Sequence, residues 1–256
     1  MTDTNSRINL DLRSINKCVR CGTCRSVCPV FEEVGWESSN TRGRIMIMKS
    51  LMNGCRPDAD AVDSLNTCTT CGICTENCPA GVNPVDLVES ARREFVSRGV
   101  MTAAQSNLSG NIFSSGNTFG DRSSRRAWIK DCGDRGFLKE KADLVYFVGC
   151  MNSYRYTETA AKTLEILSRF GATLLPNEQC CGSPLMRTGF DASKFKEINT
   201  IQIKKIGAHT IITGCAGCYT TLKKNYCKEF KVVSVPEFLA EHISELNLRP
   251  LDLTVT

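Results

Sequence analysis

The sequence runs to 256 residues, 41% hydrophobic and 23% charged, with a net charge of +5 and 16 cysteines. At about 100–200 residues per domain this is one or two domains of ordinary globular balance, which excludes a disordered or collagenous chain. No stretch approaches the ~20 apolar residues that span a bilayer, and Met1-Thr-Asp-Thr-Asn-Ser-Arg7 lacks the apolar core of a secretory signal, so no membrane span and no secreted disulfide scaffold is expected. So many thiols in a cytoplasmic chain point instead to metal or redox chemistry.

Residues 1–98 read as a small, mostly helical domain. Ile45-Met-Ile-Met48 with Leu51-Met52 predicts a buried helix packed through Met46, Met48 and Met52. Pro84 to Val96 predicts a second helix, capped by Asn83, with Val85, Val88 and Phe95 on its apolar stripe. Residues 99–142, rich in Gly, Ser, Asn and Arg, read as a linker that Ile112, Phe113, Phe119 and Trp128 could pin to a neighbour. From Asp143 the period changes. Strands are predicted at 144–148, 173–175, 209–213 and 231–235, and helices at 155–170 (stopped by Gly171), 192–206, 217–228 and 237–246. This alternation across 143–250 indicates an α/β domain with a parallel sheet.

The strongest signal occurs twice. Cys18-x-x-Cys21-x-x-Cys24-x-x-x-Cys28-Pro29 repeats as Cys68-x-x-Cys71-x-x-Cys74-x-x-x-Cys78-Pro79, the spacing that holds [4Fe-4S] cubanes in bacterial ferredoxins. Three cysteines of one run wrap one cluster, and the fourth, turned away by its proline, ligates the other. The expected sets are Cys18, Cys21, Cys24 and Cys78 for one cubane, and Cys68, Cys71, Cys74 and Cys28 for the second. Zinc would need two separated pairs of ligands. Gly22 and Gly72 follow the second cysteine of each run, where a side chain is expected to crowd amides approaching the cluster.

With 39 helix-like residues between Cys28 and Cys68, this part resembles the α-helical ferredoxin domain of fumarate reductase iron–sulfur subunits and of the C subunit of heterodisulfide reductase. Cys28-Pro-Val-Phe31 and Thr41-Arg-Gly-Arg44 add to the likeness. Arg42 and Arg44 read as surface charges, with a functional role as the alternative.

A second constellation follows: Cys150, then Cys180-Cys181-Gly182, then Cys215-x-x-Cys218. Cys150 and Cys215 fall at the C-terminal ends of predicted strands, where open parallel sheets place their sites, and Cys180-Cys181 lies in the loop after another. This pattern resembles the cysteine-rich CCG domain of the B and D subunits of heterodisulfide reductase, found also in iron–sulfur subunits of glycolate, lactate and anaerobic glycerol-3-phosphate oxidation. The resemblance implies a noncubane [4Fe-4S] cluster or a zinc ion on these five residues. Five thiols can serve separate irons with one bridging, whereas zinc needs four ligands; a disulfide or bare thiols are the remaining alternative.

The order of parts, an α-helical ferredoxin domain followed by an α/β CCG domain, resembles the heterodisulfide reductase D subunit, whose linker is similar around Asp121-Arg-Ser-Ser-Arg-Arg-Ala-Trp128. Members of the group typically carry two CCG copies. Here one is present, and Leu251-Asp-Leu-Thr-Val-Thr256 reads as the first strand of a second, as in a truncated chain or one completed by a second CCG-containing chain. The resemblance implies reductive cleavage of a CoM-S-S-CoB type heterodisulfide, as in methanogenesis, with a flavoprotein or membrane cytochrome b as redox partner. Two alternatives stay open: an electron relay serving a flavin dehydrogenase, and a zinc-bearing docking module.

The remaining features read as structural. Arg122, Arg125, Arg126 and Lys130, interleaved with Asp121, Asp131 and Asp134, suggest a solvated or docking face and no nucleic acid. No Gly-rich phosphate loop is found, so no nucleotide or flavin is expected on this chain. Cys55, Cys132 and Cys227 read as small buried hydrophobes, His209 and His242 as structural or surface residues, and Tyr146, Phe147 and Tyr154 as core.

Overall fold

The computed structural model describes residues 9–132 (backbone only at 131 and 132), 137–226, 230–246, 248, 249 and 252. The chain divides into two units. The first comprises residues 1–107 and 184–191; the second comprises residues 108–183 and 192–256.

The first unit is helical: α1 (Leu12–Asn16), α2 (Thr23–Ser26), α3 (Pro29–Val34), α4 (Thr41–Met52), α5 (Ala59–Asn66), α6 (Ile73–Glu76), α7 (Pro84–Ser97) and the start of α8 (Ala103–Ser115). Side-chain caps set the starts of the longer helices. Asn40 accepts from the amides of Arg42 and Gly43, Asp58 from Ala61, and Asn83 from Asp86, with Pro84 pre-set at the first helical position. Ile45, Met48 and Leu51 of α4 recur every third residue, and Leu87, Val88, Ala91 and Phe95 of α7 lie on one face; together with Leu10, Ile15 and Leu65 they form the core. Full burial of each large side chain stabilises by about 1.5–3 kcal/mol. Two expectations shift here. Met46 is exposed, while Met48 is fully buried and Met52, half-buried, packs against the same core. Val85 is half-buried and lines a cysteine cavity, while Leu87 and Ala91 complete the stripe.

The second unit is a three-layer α/β/α sandwich. Strands β1 (Leu144–Phe147), β2 (Thr173–Leu174), β3 (Thr210–Thr213) and β4 (Lys231–Ser234) lie in the order β2-β1-β3-β4, all parallel. Tyr146 pairs with Leu174 on one side and Ile212 on the other, and Ile212 pairs with Val233. Alternate residues serve opposite faces. Tyr146, Ile212 and Val233 pack with α10 (Thr157–Ser168) and α14 (Val235–Glu241). Val145, Phe147 and Ile211 pack with α12 (Ser193–Ile206) and α13 (Ala216–Asn225). The strand order reverses between β1 and β3, which creates a switch point beyond their C-terminal ends. There begin α9 (Gly149–Tyr154), after β1, and α13, after β3.

Several boundaries differ from expectation. The stretch 99–142 is not an open linker: it contains α8 and a 3-10 turn at Ala127–Cys132, and it buries Ile112 and Trp128. Its polar residues satisfy the backbone from within. Asn117, fully buried, accepts from the amides of Phe119 and Asp121 and donates to the carbonyls of Ser115 and Asp121. The helices α9 and α11 (Ser183–Thr188) are additions, too short to leave a periodic signal. α14 starts early because Ser234 and Glu237 form a capping box, and it gives way to a 3-10 turn at Ile243–Glu245. Cys227 and, apart from Asp252, the segment 251–256 lie outside the described residues, as does Asp134. Among the described residues, no helix is long and apolar enough to cross a membrane.

Candidate metal centres

The two cysteine runs of the first unit adopt the same local structure. Arg20 and Gly22 flank Cys21 with φ of 60° and 88°; Thr70 and Gly72 flank Cys71 with φ of 51° and 85°. The amide of Arg25 donates to Gly22 and that of Thr75 to Gly72, both at 2.8 Å; Cys28 bonds Arg25 and Cys78 bonds Thr75, both at 3.3 Å. Left-handed residues on both sides of a cysteine curl the chain tightly around it. The left-handed conformation, rather than crowding, accounts for Gly72, whose absent Cβ would meet open space. At Gly22 a Cβ would also lie 2.7 Å from Nη1 of Arg42.

Two adjoining cavities result. Cys18, Cys21, Cys24 and Cys78 line the first, with Arg42 and Ile45. Cys28, Cys68, Cys71 and Cys74 line the second, with Arg44 and Val85. Thr41, Cys74 and Pro84 are walls of both. The N-terminus of α4 lies at this shared wall: the Arg42 amide bonds Cys24 and the Thr41 hydroxyl bonds Cys74. Burial nonetheless pushes both of those thiols up, and neighbouring thiols reinforce the shift. Cys21, on the open side, is held down by its bond with the Thr23 hydroxyl. At least four soft thiol donors lining each cavity, beside a helix N-terminus, are the donor chemistry of a [4Fe-4S] cubane.

The Thr41-Arg42-Gly43-Arg44 stretch has a structural reason at each position. A Cβ on Gly43 would lie 2.0 Å from the Glu37 carbonyl oxygen, so only glycine lets α4 pack there. Arg42 pairs with Glu37 at 2.5 Å. Arg44 departs from the expected surface charge: it is 1% exposed, donating to the Ser64 carbonyl at 2.7 Å and the Thr67 hydroxyl at 3.3 Å.

In the second unit, five thiols gather at the switch point. Cys150 sits in the first turn of α9, Cys215 caps α13, Cys218 lies one turn on, and Cys180-Cys181 occupies the loop after β2. They form a continuous string from Cys150 through Cys180, Cys181 and Cys218 to Cys215, with the sulfurs of Cys218 and Cys181 3.4 Å apart. Hydrogen bonds from Cys180 and Cys218, with the Ser183 amide, pull the Cys181 thiol down. Cys150 is pushed up by the bond it donates to Cys180 and by burial, and Cys218 by the bonds it donates to Cys181 and Cys215. Among the described residues, no three Cys, His, Asp or Glu side chains converge on the geometry of a single metal ion.

Residues outside the cysteine motifs frame this string. Arg125 Nη2 donates to Cys150 Sγ at 3.3 Å and to the Gly116 carbonyl at 2.9 Å, and Nη1 pairs with Glu178 at 2.9 Å. Glu178 also accepts from the amides of Val148 and Gly149, at 2.7 and 2.8 Å, so it anchors the start of α9. Burial pushes the Glu178 carboxyl up, opposed by the Arg125 charge and these amides. Gly149 has φ of 77°, and a Cβ there would approach Cys218 Sγ to 3.0 Å. Asn199, fully buried, donates to Cys180 O and to the hydroxyl of Tyr226, which itself donates to Cys181 O.

Sequence reasoning placed Arg125 on a solvated face and did not single out Glu178, Gly149 or Asn199. Glycine immediately before Cys150 and an acid two residues before Cys180 are the signals available for two of them. Tyr146 and Phe147 are core, and Tyr154 is half-buried with its ring 5.7 Å from the Arg125 guanidinium. His209 pairs with Asp143 at the surface and His242 stacks on Phe238, both apart from the thiol sites. Cys55 is exposed rather than buried, and the side chain of Cys132 lies outside the described residues.

Two family profiles match separate stretches of the chain. The profile of the 4Fe-4S dicluster domain family matches residues 14–82, and that of the cysteine-rich CCG domain matches 144–223. The chain is 28% identical to the D subunit of the dihydromethanophenazine:CoB–CoM heterodisulfide reductase of Methanosarcina barkeri, covering 99% of this chain and 70% of the relative. With the same subunit of Methanosarcina mazei the figures are 30%, 95% and 66%. A probable glycolate oxidase iron-sulfur subunit of Bacillus subtilis is 25% identical over 82% of this chain and 58% of its own. No solved structure matches. The chain thus spans about two thirds of the D subunits it matches. With a dicluster region preceding a CCG region and homology over nearly its whole length, it belongs among the iron–sulfur proteins related to the heterodisulfide reductase D subunit.

Proposed function

We propose that this chain is an iron–sulfur electron-transfer subunit for reduction of a heterodisulfide of the CoM-S-S-CoB type. Cys18, Cys21, Cys24 and Cys78 would hold one [4Fe-4S] cubane, and Cys28, Cys68, Cys71 and Cys74 the other. Cys150, Cys180, Cys181, Cys215 and Cys218 would hold a noncubane [4Fe-4S] cluster. The observation that carries the reading is the exchange of last cysteines: Cys78 lines the cavity of Cys18, Cys21 and Cys24, Cys28 lines that of Cys68, Cys71 and Cys74, and Cys74 lies on the wall the two share. When bound, the cubanes supply one-electron carriers, and the third centre supplies iron soft enough to bind sulfur.

The chain's own residues define the rest. The overall reaction breaks one S–S bond and consumes two electrons and two protons, giving two thiols. Glu178 orients Arg125, and Arg125 donates to Cys150, placing a fixed positive charge at the Cys150 end of the thiol string. The loop from Gly116 to Arg125 is tied to the Cys180 amide through the Gly116 carbonyl, at the end where Cys150 and Cys180 are buried. A flavoprotein or a membrane cytochrome b would supply electrons to this cytoplasmic chain, and a second CCG-containing chain could complete the site. The identity to a glycolate oxidase iron-sulfur subunit favours a second reading, a relay between a flavin dehydrogenase and its acceptor.

Iron, acid-labile sulfide and zinc per chain, followed by a reduced-viologen assay with the heterodisulfide, test the proposal. About 12 irons with matching sulfide and consumption of heterodisulfide are expected. About 8 irons with one zinc and no consumption would replace it with the relay.

A further inference from the structure

The two cysteine cavities of the first unit resemble each other in backbone but not in charge. Beside the cavity of Cys18, Cys21, Cys24 and Cys78 lie Arg20, which is exposed, and Arg42, which is partly exposed and paired with Glu37. Solvent screens the first charge and a carboxylate offsets the second. Beside the cavity of Cys28, Cys68, Cys71 and Cys74 lie two buried guanidiniums. Arg44 lines the cavity directly. Arg92, 5% exposed, donates to the carbonyl of Cys68 at 2.6 Å, to Leu65 at 2.7 and 3.0 Å, to Asn66 at 3.0 Å and to Arg187 at 2.7 Å.

Among the described residues, every hydrogen bond of Arg44 and Arg92 goes to a neutral oxygen. The two charges also repel one another, and Glu89, three residues earlier on α7, reaches Arg92 only through space. Burying two cations side by side without a bonded carboxylate is costly unless an anion sits nearby. A cubane with four thiolate ligands carries net negative charge and gains one more on reduction, and net charge and hydrogen bonding around a cluster set its potential.

We propose that Arg44 and Arg92 form a buried cationic seat for the cluster held by Cys28, Cys68, Cys71 and Cys74, and that this seat makes it the first of the two cubanes to accept an electron. The inference rests on the two-cubane reading above. It assigns Arg92 as a positioning residue: it touches the backbone of a ligand rather than the cluster, and it acts through its charge. The Cys18, Cys21, Cys24 and Cys78 cluster, whose nearby charges are screened or paired, is then the lower-potential centre and hands electrons to its neighbour.

The test is a redox titration of the full-length, reconstituted protein followed by electron paramagnetic resonance. Cys71→Ser and Cys21→Ser assign the two reduced-cluster signals by which one each variant alters or removes. In the otherwise unaltered protein, the signal tied to Cys71 should appear at the higher potential. Arg92→Gln should lower that potential and leave the other signal in place, while Arg92→Lys should keep the order despite losing thermal stability. A purely structural role for Arg92 would move stability in both variants and potential in neither. If the signal tied to Cys21 appears first, or Arg92→Gln shifts both signals alike, the proposal is overturned; the order in the unaltered protein decides this even if no Arg92 variant folds. Fewer than about eight irons with matching sulfide in the unaltered protein would instead overturn the two-cubane reading.

Discussion

The two thiol-rich regions gather their cysteines in different ways. In the first unit, each run of three cysteines lies within seven residues of chain, and its geometry is local: two left-handed residues and two short turns, repeated with the same bond lengths. In the second, five thiols come from three loops separated by up to 68 positions, and only the parallel order of β2, β1 and β3 brings them to one edge. A locally built site tolerates changes elsewhere in the fold. A site built by topology depends on every element that sets the sheet edge, including the Arg125–Glu178 pair and the start of α9.

The contrast can be broken most severely at Cys181, the middle of the five-thiol string. On the proposed loading, Cys181→Ser should abolish metal binding in the second unit while leaving both cubane signals intact, lowering iron from about 12 to about 8 per chain. Loss of the cubane signals as well would mean that the two regions do not load independently. Glu178→Ala should come next. It leaves Arg125 buried and unpaired, and breaking a buried pair costs about 3–5 kcal/mol, measurable as a shift of the denaturant midpoint. The smallest effect separates the two otherwise matched loops. Gly72→Ala should cost about 1–2 kcal/mol, from forcing a Cβ into the left-handed region with space around it. Gly22→Ala should cost more, because Arg42 must also give way. Equal costs at the two glycines would show that Arg42 yields freely.

The same contrast explains what could be read from sequence. Thiols at fixed spacing with a following proline are themselves a geometric statement, so the expected grouping of the first eight cysteines needs little beyond chain order. The strand ends carrying Cys150 and Cys215 could be placed because buried parallel strands leave short apolar runs. Arg125 could not, because its partners, Glu178 and Cys150, are 53 and 25 residues away and its neighbours Arg122 and Arg126 make it look like part of a solvated face. Arg44 was equally opaque, since nothing local says that an arginine will find the Ser64 carbonyl in the interior. The stretch 99–142 was misleading for a different reason. Its glycines and asparagines resemble a loop, yet Asn117 bonds the surrounding backbone well enough for it to be buried.

The assignment of residues 184–191 to the first unit has a consequence for how such a protein can be divided. A cut anywhere between the two family matches would leave this octapeptide on the wrong fragment. Arg92 would lose the Arg187 carbonyl, and Gln105, whose side-chain amide donates to Thr188 and to Asn66, would lose the first of these acceptors. The N-terminal piece would then carry buried donors facing a gap and would not be a freestanding ferredoxin. The first module is thus completed by eight residues that come from within the sequence of the second.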